Sequence, residues 1–155
     1  MTSVLFVCLG NICRSPAAHG VFLNQLATAG LTQAIEVDSA GTGSWHIGCP
    51  PDERMTAAAA QRGVDLSPLR ARKVIPEDFD RYTHIFAMDL QNLATMQQLA
   101  SGKCYQPQLF LDLIASGENR EVPDPYYGGD EGFETVLDMV DAACAALISR
   151  LRKQI

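Results

Sequence analysis

The sequence predicts an α/β fold in which a parallel sheet is covered by helices on both faces. Two short runs, at 4–7 and 83–88, are typical of strands that are buried on both sides. Apolar residues elsewhere recur at helical spacing, most clearly from Phe133 to Leu151. Strands that alternate with helices favour a parallel sheet. A length of 155 residues fits one domain with its own core, and we expect one domain over 1–155.

The first strand is expected to lead directly into a helix. Residues 4–7 read Val-Leu-Phe-Val, and Ser15-Pro16 is typical of a helix start, because serine can cap the first turn and proline suits it. Apolar residues follow at helical spacing, and Gly30 suits the helix end. The stretch 8–15, CLGNICRS, is therefore predicted to be a strand-to-helix loop.

The same alternation continues after the first helix. A short strand is predicted at 35–37, and the stretch that follows it, 38–43, is rich in turn-forming residues. A helix is predicted at 54–62, where Gly63 would end it. These elements extend the strand-helix order of the N-terminal segment.

The second half of the chain repeats the pattern. After the strand at 83–88, Asp89 can cap a further helix, and 109–111 is a short strand candidate. The last helix begins near Asp130 and Glu131, whose charges suit the helix dipole.

Ligands of such folds bind beyond the carboxyl ends of the strands. The loops expected to meet at that edge are 8–15, 38–48, 89–92 and, further along the chain, 117–131.

The composition indicates an acidic globular protein rather than a nucleic-acid-binding one. The formal net charge is −6, whereas nucleic-acid-binding proteins usually have a basic face. No apolar run approaches the roughly 18 residues of a membrane span, and no charged leader precedes a long apolar stretch. The five cysteines include no pair of Cys-x-x-Cys units, which argues against a zinc ribbon. We expect a cytoplasmic protein with reduced thiols that binds neither nucleic acid nor membrane.

The loop 8–15 has the features of an anion site. A loop that passes so quickly from strand to helix must curl tightly, so its N–H groups point inward beside the positive end of the helix dipole. Gly10 and Asn11 tolerate the unusual backbone angles of such a curl. A tetrahedral dianion would fill the curl, and the planar fork of Arg14 can bind two of its oxygens.

Cys8 lies where the strand ends and this loop begins. The local field there favours a thiolate, which can attack phosphorus in line and form a phosphocysteine. Arg14 and the backbone N–H groups would hold the equatorial oxygens, and Ser15 could donate to the sulfur when the thiolate leaves. Cys-x5-Arg also arises by chance, with a buried packing cysteine. The strand before the loop and the helix after it favour the catalytic interpretation.

Asp124 is the candidate proton donor to the leaving group. It lies in Val-Pro-Asp-Pro, where two prolines stiffen the backbone around the carboxyl group. As a general acid it would protonate the leaving oxygen, and as a carboxylate it would then activate water. An Asp-Pro pair is also typical of an ordinary turn, and that alternative stays open for the pair alone.

Together these residues resemble the low-molecular-weight protein tyrosine phosphatases. The matching segments keep their order and spacing over nearly the whole chain. They are 8–16 (CLGNICRSP), 38–42 (DSAGT), Trp45 with 50–52 (PPD), 71–72 (AR), 88–89 (MD) and 124–127 (DPYY). The resemblance implies a four-stranded parallel sheet and a two-step phosphatase mechanism that needs no metal and no cofactor. It also implies a phosphotyrosine-containing protein as substrate, and we expect a monomer.

The resemblance assigns roles by position. Cys8 would be the nucleophile, Arg14 the phosphate clamp and Asp124 the general acid and base. Phosphate binding would involve the whole loop, namely Leu9, Gly10, Asn11, Ile12, Cys13, Arg14 and Ser15. Asn11 is expected to hold the shape of this loop with Ser39 near it, and the hydroxyl of Ser15 to assist the thiolate.

The resemblance also implies an apolar cleft beside the phosphate loop. The residues expected to form its walls are Ile12, Trp45, Tyr126 and Tyr127. An aromatic wall can stack on a phosphotyrosine ring, which contributes about 1 kcal/mol beyond the burial of area. Partial packing into the core is the alternative for Trp45 and the two tyrosines.

Cys13 and Leu69 each raise a further expectation. If an oxidant converts Cys8 to a sulfenic acid, Cys13 could trap it as a reversible disulfide; a small packed residue is the alternative. Many relatives have a histidine at the position of Leu69, so any support that this histidine gives the loop is missing or replaced. His19 is not an obvious substitute, and His84, in a strand, is expected to be structural.

Two other functions compete with a phosphatase. A thioredoxin-coupled arsenate reductase also uses Cys-x5-Arg, but it needs two further cysteines near the site, and the segment 82–92 supplies none. A non-catalytic phosphate-binding module would need neither Cys8 nor Asp124. Both residues are present, which favours the phosphatase.

Overall fold

A parallel sheet organises the computed structural model, which describes residues 1–114, 120–126 and 128–155. In chain order the elements are β1 (Thr2–Cys8), α1 (Arg14–Ala29), β2 (Ile35–Gly41), α2 (Glu53–Gln61), α3 (Asp78–Arg81), β3 (His84–Ala87), α4 (Leu90–Leu99), β4 (Gln108–Leu109), a 3-10 helix (Phe110–Ile114) and α5 (Asp130–Arg152). Within the described residues the sheet has 4 strands in the order β2-β1-β3-β4, and every pairing is parallel. The predicted α/β fold is confirmed.

The central strand β1 is buried on both faces. Val4 and Phe6 face a core cluster that includes residues of α1, α2 and α5, whereas Leu5 and Val7 face a second cluster with residues of α3 and α4. Because side chains alternate across a strand, a strand between two helical layers must be apolar at every position. This explains the uninterrupted apolar run at the start of the sequence.

A cluster of phenylalanine rings fixes the middle of β1. The ring of Phe6 lies 5.7 Å from Phe22, 6.0 Å from Phe86 and 5.1 Å from Phe110, measured between centroids. The strand predicted at 109–111 is shorter than expected, because the chain leaves the sheet after Leu109 and Phe110 begins the 3-10 helix. The ring of Phe110 packs into this cluster around Phe6, which precedes Cys8 by two residues on β1.

The strand β2 is longer than predicted. The prediction ended it at 37, but β2 runs over Ile35–Gly41 and pairs with β1 along its whole length, from Thr2 opposite Ile35 to Cys8 opposite Gly41. The residues 38–41 have the composition of a turn, and pairing with a central strand overrides that local preference.

Most predicted helix ends are confirmed. Gly30 and Gly63 adopt left-handed backbone angles, with φ of 73° and 80°, after α1 and α2. Asp89 caps α4, because its side chain accepts a hydrogen bond from the backbone N–H of Asn92.

Within the described residues, the helices are all too short or too polar to cross a membrane.

The predicted cap at Ser15 is wrong. The helix α1 begins at Arg14, so Ser15 lies inside its first turn, and the residue before the helix, Cys13, makes no side-chain cap bond. The hydroxyl of Ser15 instead contacts the side chains of Cys8 and Asn11. A hydroxyl that is committed to the loop cannot also serve the helix terminus.

Candidate active site

Cys8 is the last residue of β1, and its sulfur lies inside the curl of the loop 8–15. The backbone N–H of Asn11 donates to Cys8 Sγ over 3.3 Å, and Ser15 Oγ lies 3.1 Å from the same sulfur. The residue is 3% exposed. Two hydrogen-bonding groups in a largely dry site would stabilise negative charge on the sulfur.

Asn11 ties the loop together. Its φ of 58° is the left-handed conformation that asparagine tolerates better than most residues. Its Nδ2 donates to Ser15 Oγ over 2.7 Å, and its Oδ1 accepts from the backbone N–H of Arg72 over 3.0 Å. The side chain therefore bridges two parts of the loop and a segment 61 residues away.

Gly10 serves a different purpose from the one predicted. It is not among the residues with positive φ, so it supplies no unusual backbone angle. A Cβ at this position would lie 3.0 Å from the ring carbon Cδ2 of His46, which is closer than most such contacts. The glycine therefore permits the close approach of the 38–48 loop.

The end of β2 braces the first residues of the loop. The backbone N–H of Thr42 donates to the carbonyl of Cys8, and that of Gly43 donates to the carbonyl of Leu9, each over 2.9 Å. A Cβ at Gly41 would lie 2.8 Å from the Leu9 carbonyl oxygen, so the approach requires glycine there. The predicted meeting of these two loops at one sheet edge is confirmed.

Arg14 is a buried cation with fixed partners. Its Nη1 donates to Asp89 Oδ2 over 2.7 Å and to the carbonyl of Val122 over 3.0 Å, while Nη2 lies 3.6 Å from Asp124 Oδ2. Burial acts to lower the pKa of Arg14, but the charges of Cys8 and of these carboxylates outweigh it and raise that pKa. The side chain is 3% exposed, so the guanidinium is held in place before any ligand arrives.

Asp89 has a second role that the sequence analysis missed. One carboxylate oxygen accepts from Asn92 N over 2.7 Å, as the predicted cap, and the other binds Arg14. The position of Asp89 just beyond β3, the neighbour of β1, is a signal that could have indicated this contact.

Asp124 lies beside the buried arginine at the mouth of the site. Its side chain is 34% exposed, and Oδ1 accepts a hydrogen bond from the backbone N–H of Tyr126 over 3.1 Å. The segment 120–126 therefore reaches the sheet edge, as predicted for the loop 117–131. Residues 117–119 and Tyr127 lie outside the described residues, so the expected place of Tyr127 in the cleft wall is not described.

A cavity of about 390 Å³ joins these groups. Among the residues described, its lining consists of Cys8, Leu9, Gly10, Ile12, Cys13, Arg14, Trp45, His46, Asp124 and Tyr126. Trp45 is 71% exposed and Tyr126 39%, so neither is a core residue. His46, whose ring centroid lies 6.4 Å from that of Tyr126, is a lining residue that the sequence analysis did not identify.

Ser39 has a side-chain partner that was not predicted. Ser39, expected near Asn11, contacts His19 Nδ1 through Oγ at 3.0 Å, so His19 is a partner of this serine. Burial lowers the pKa of His19 below its ordinary 6.5, and the charge of Asp38 opposes this. Leu69 packs against the main core cluster as an apolar residue.

Arg72 is a further support that was not predicted. Its guanidinium lies 3.0 Å from both Asp38 Oδ2 and Asp78 Oδ2, which join β2 to α3. These ion pairs hold the backbone that donates to Asn11. The loop is thus braced by a charged cluster whose three residues are not among those that line the cleft.

The remaining cysteines separate into buried and exposed ones. Burial, followed by the charges of Asp52 and Cys8, raises the pKa of Cys13 far above its ordinary value, so its thiol stays protonated. Cys144 is fully buried in the core, as expected, whereas Cys49 and Cys104 are exposed. Over the described part of the chain, no group of 3 or more His, Cys, Asp or Glu side chains is placed to hold a metal ion.

Comparison with known proteins gives a consistent result. The family model described as "Low molecular weight phosphotyrosine protein phosphatase" matches residues 3–155. The chain is 43% identical over 141 residues to the low molecular weight phosphotyrosine protein phosphatase of Schizosaccharomyces pombe, which covers 89% of this chain and 90% of that protein. The crystal structure of YfkJ from Bacillus subtilis matches with a TM-score of 0.92 at 39% identity, covering 99% of this chain and 96% of that one. A protein tyrosine phosphatase structure from Entamoeba histolytica matches with a TM-score of 0.90 at 38% identity, covering 99% of each.

Proposed function

The chain belongs to the low molecular weight phosphotyrosine protein phosphatase family, and we propose that Cys8, Arg14 and Asp124 carry its reaction. The protein is a protein tyrosine phosphatase, and hence a phosphoric monoester hydrolase. The observation that supports this assignment of residues is that all three line one cavity of about 390 Å³. A nucleophile, a fixed cation and a carboxyl group within one cleft are the parts that phosphoryl transfer through a covalent intermediate needs.

In the first step the Cys8 thiolate attacks phosphorus and the bond from phosphorus to the tyrosyl oxygen breaks. Asp124 gives its proton to that oxygen, so phenol leaves as a neutral group. Arg14 holds phosphoryl oxygens as charge develops on them, with its Nη1 already committed to Asp89 and a carbonyl. The products of this step are a phosphocysteine, a carboxylate and the dephosphorylated tyrosine.

In the second step a water molecule attacks the phosphocysteine. The Asp124 carboxylate takes a proton from the water, the bond between sulfur and phosphorus breaks, and inorganic phosphate leaves. The hydroxyl of Ser15, 3.1 Å from Cys8 Sγ, can donate to the sulfur as it becomes a thiolate again. Ser15 Oγ also accepts from Asn11 Nδ2, which orients the hydroxyl.

The competing functions gain less support. An arsenate reductase of this type would pass a disulfide outward through further cysteines, but in the described structure neither Cys49 nor Cys104 lines the cleft. A phosphate-binding module without catalysis would need no acid beside its cation, whereas Asp124 lies 3.6 Å from Arg14.

The substrate is proposed to be a phosphotyrosine side chain of a protein. Ile12, Trp45 and Tyr126 line the cleft and offer apolar surface to an aromatic ring. The family acts on phosphoproteins, and small aryl phosphates should also be hydrolysed. The monomeric state, the cytoplasmic location and the extent of one domain over 1–155 stay predictions.

The test compares hydrolysis of p-nitrophenyl phosphate, in the presence of a chelator, by the wild type and the Cys8→Ser variant. Turnover should be abolished in Cys8→Ser, while inorganic phosphate should still raise its melting temperature. Cys49→Ser, which removes an exposed cysteine outside the cleft, is the matched control and should remain active. Rapid quenching of the wild type should yield a phosphoryl group on the peptide that contains Cys8. Turnover by Cys8→Ser at the wild-type rate would refute the mechanism.

A further inference from the structure

Arg54 lies between the phosphate loop and the segment that carries Asp124. From the start of α2, its Nη2 donates to the backbone carbonyl of Tyr126 over 3.0 Å. The same guanidinium binds Asp52 through Nε and Nη2, at 3.3 and 3.2 Å. The proposed mechanism does not use this residue, and it is not among those that line the cleft.

One end of this arrangement is anchored to the phosphate loop. The backbone N–H of Asp52 donates to the carbonyl of Ile12 over 2.8 Å, and its side chain caps α2 by accepting from Arg54 N over 2.8 Å. Partial burial acts to raise the pKa of Asp52, but hydrogen bonds from Arg54 and from the backbone of Met55 lower it overall. Asp52 is therefore a fixed anion attached to the loop that would bind phosphate.

The other end is anchored to the segment of the general acid. The guanidinium carbon of Arg54 lies 5.6 Å from the ring centroid of Tyr126 and 4.7 Å from that of Phe133. Phe133 is 1% exposed and belongs to the core, so it is a rigid support. The backbone N–H of Tyr126 in turn donates to Asp124 Oδ1 over 3.1 Å. Tyr126 therefore connects Arg54 to Asp124, since its carbonyl accepts from Arg54 and its N–H donates to Asp124.

We propose that Arg54 is a positioning residue for the general acid. It holds Tyr126, and through Tyr126 the carboxyl group of Asp124, at a fixed distance from the phosphate loop. Asp124 is one of the more exposed groups of the cleft, with a side chain that is 34% exposed, so packing alone does not set its direction. The planar fork of arginine can serve an anion and a carbonyl together, which a lysine ammonium does less well. The inference rests on the proposed role of Asp124.

The test uses two substrates that differ in their need for a proton. The phenoxide released from phenyl phosphate is a poor leaving group unless it is protonated, whereas p-nitrophenolate leaves readily without a proton. Arg54→Ala should lower kcat/KM for phenyl phosphate about 10-fold more than for p-nitrophenyl phosphate, because misplacing an acid removes part of its usual 10²- to 10⁴-fold contribution. Arg54→Lys should give a smaller change in the same ratio. If Arg54 had a purely structural role, its replacement would lower kcat/KM equally for both substrates.

Arg62→Ala is the matched control. Like Arg54, Arg62 is an arginine at an end of α2, here the C-terminal one. It also forms ion pairs, which are to Glu134 and Asp138 of α5. Within the described part of the chain its ion pairs are to α5 and none is to the segment 120–126, so its removal should leave the ratio of the two kcat/KM values unchanged. If Arg54→Ala does not fold, Arg54→Lys carries the test. A wild-type ratio in each folded Arg54 variant would overturn the proposal.

Asp124→Asn separates the two proposals. If this variant loses no more activity on phenyl phosphate than on p-nitrophenyl phosphate, the acid itself is wrongly assigned and the inference falls with it. If Asp124→Asn shows the selective loss and the Arg54 variants do not, only the role of Arg54 is refuted. Adding Arg54→Ala to Asp124→Asn should cause no further selective loss, because residues that act through one group are not additive. A further selective loss of similar size would overturn the proposal.

Discussion

Arg14 and Asp89 form a nearly buried ion pair in which Nη1 lies 2.7 Å from Oδ2, with side chains 3% and 21% exposed. The same carboxylate caps α4. If Asp89 were neutral, Arg14 would lose its nearest counter-charge and keep only the more distant carboxylate of Asp124, 3.6 Å from Nη2. We therefore expect the pair to link the stability of the protein to the binding of an anion in the cleft.

Replacing Asp89 should destabilise the protein and make it depend more on phosphate. Asp89→Ala removes both the pair and the cap, and it should lower the free energy of unfolding by about 3 kcal/mol. Asp89→Asn keeps a capping side chain and should lose less. Because a bound dianion can replace the missing charge, added inorganic phosphate should raise the melting temperature of Asp89→Asn by more than that of the wild type.

The control for this prediction is Asp112→Asn. Asp112 also pairs with an arginine, Arg120, but on the surface, where such pairs contribute little. Its stability and its response to phosphate should match the wild type. An equal phosphate effect in the wild type and Asp89→Asn would contradict the linkage.

Asn11 should be required for catalysis through its side-chain hydrogen bonds. Asn11→Gly keeps the left-handed φ of 58° at low cost but removes the bonds to Ser15 and Arg72. It should lower kcat for p-nitrophenyl phosphate at least about 10-fold, from two lost hydrogen bonds of about 1 kcal/mol each. Asn11→Ala should show a similar kcat with about 1 kcal/mol less stability than Asn11→Gly, measured by urea unfolding. A wild-type kcat in Asn11→Gly would count against the role of Asn11.

Features that depend on neighbouring residues were predictable from the sequence. The apolar run before Cys8, the periodic residues after Arg14 and the glycine that ends α1 are local patterns, so the loop between them could be located. Nothing local joins Asp124 to this loop across more than 100 positions. Its proximity was expected because the loop 117–131 follows the last predicted strand and because the chain resembles a family.

Contacts between distant segments were not predictable in the same way. The backbone N–H of Arg72 donates to Asn11, and the second carboxylate oxygen of Asp89 accepts from Arg14. Both contacts depend on how the loops fold back at the sheet edge. The error at Ser15 has the same origin, because its serine-proline sequence indicates a cap while the tertiary fold directs its hydroxyl to Cys8. Tertiary contacts of a side chain can thus override the local preference of its residue type for a helix cap.

Trp45 should contribute to the binding of aromatic substrates. It lines the cleft while remaining 71% exposed, so an aromatic ring in the cleft can stack on it. Trp45→Ala should raise KM for a phosphotyrosine peptide about 5-fold, which corresponds to about 1 kcal/mol of stacking. Hydrolysis of an acyl phosphate without a ring should change little. Ile47→Ala, which removes a neighbouring apolar side chain that is 57% exposed and outside the cleft lining, is the control.

Cys13 should determine whether oxidative inactivation is reversible. Peroxide would convert Cys8 to a sulfenic acid, and the Cys13 thiol would displace water from it to form a disulfide. Because burial raises the pKa of Cys13, this second reaction should be slow at neutral pH. After peroxide and then a thiol reductant, Cys13→Ser should recover a smaller share of its own initial activity than the wild type or Cys49→Ser. Mass spectra of inactivated wild type that lack a Cys8–Cys13 link would exclude this mechanism.

His19 should make the protein less stable as the pH falls. Burial lowers its pKa from the ordinary 6.5, so below that pH the unfolded chain binds a proton that the folded chain still excludes. The free energy of unfolding therefore decreases as the pH falls from about 7 to about 5, with a slope of at most about 1.4 kcal/mol per pH unit from this group. His84, whose pKa burial also lowers, adds a slope of the same sign.

Urea unfolding of the wild type, His19→Gln and His84→Gln over this pH range would separate the two contributions. Each variant should show a smaller loss of stability on acidification than the wild type, and the double variant the smallest. Carboxyl groups with lowered pKa values ordinarily titrate near 3.8, below this range, so they do not produce the slope. His19 Nδ1 lies 3.0 Å from Ser39 Oγ on β2, the strand that leads to the residues bracing the loop 8–15. His19→Gln therefore also tests whether this contact supports that loop. If His19→Gln kept the full wild-type slope, His19 would not be the group that senses the acid.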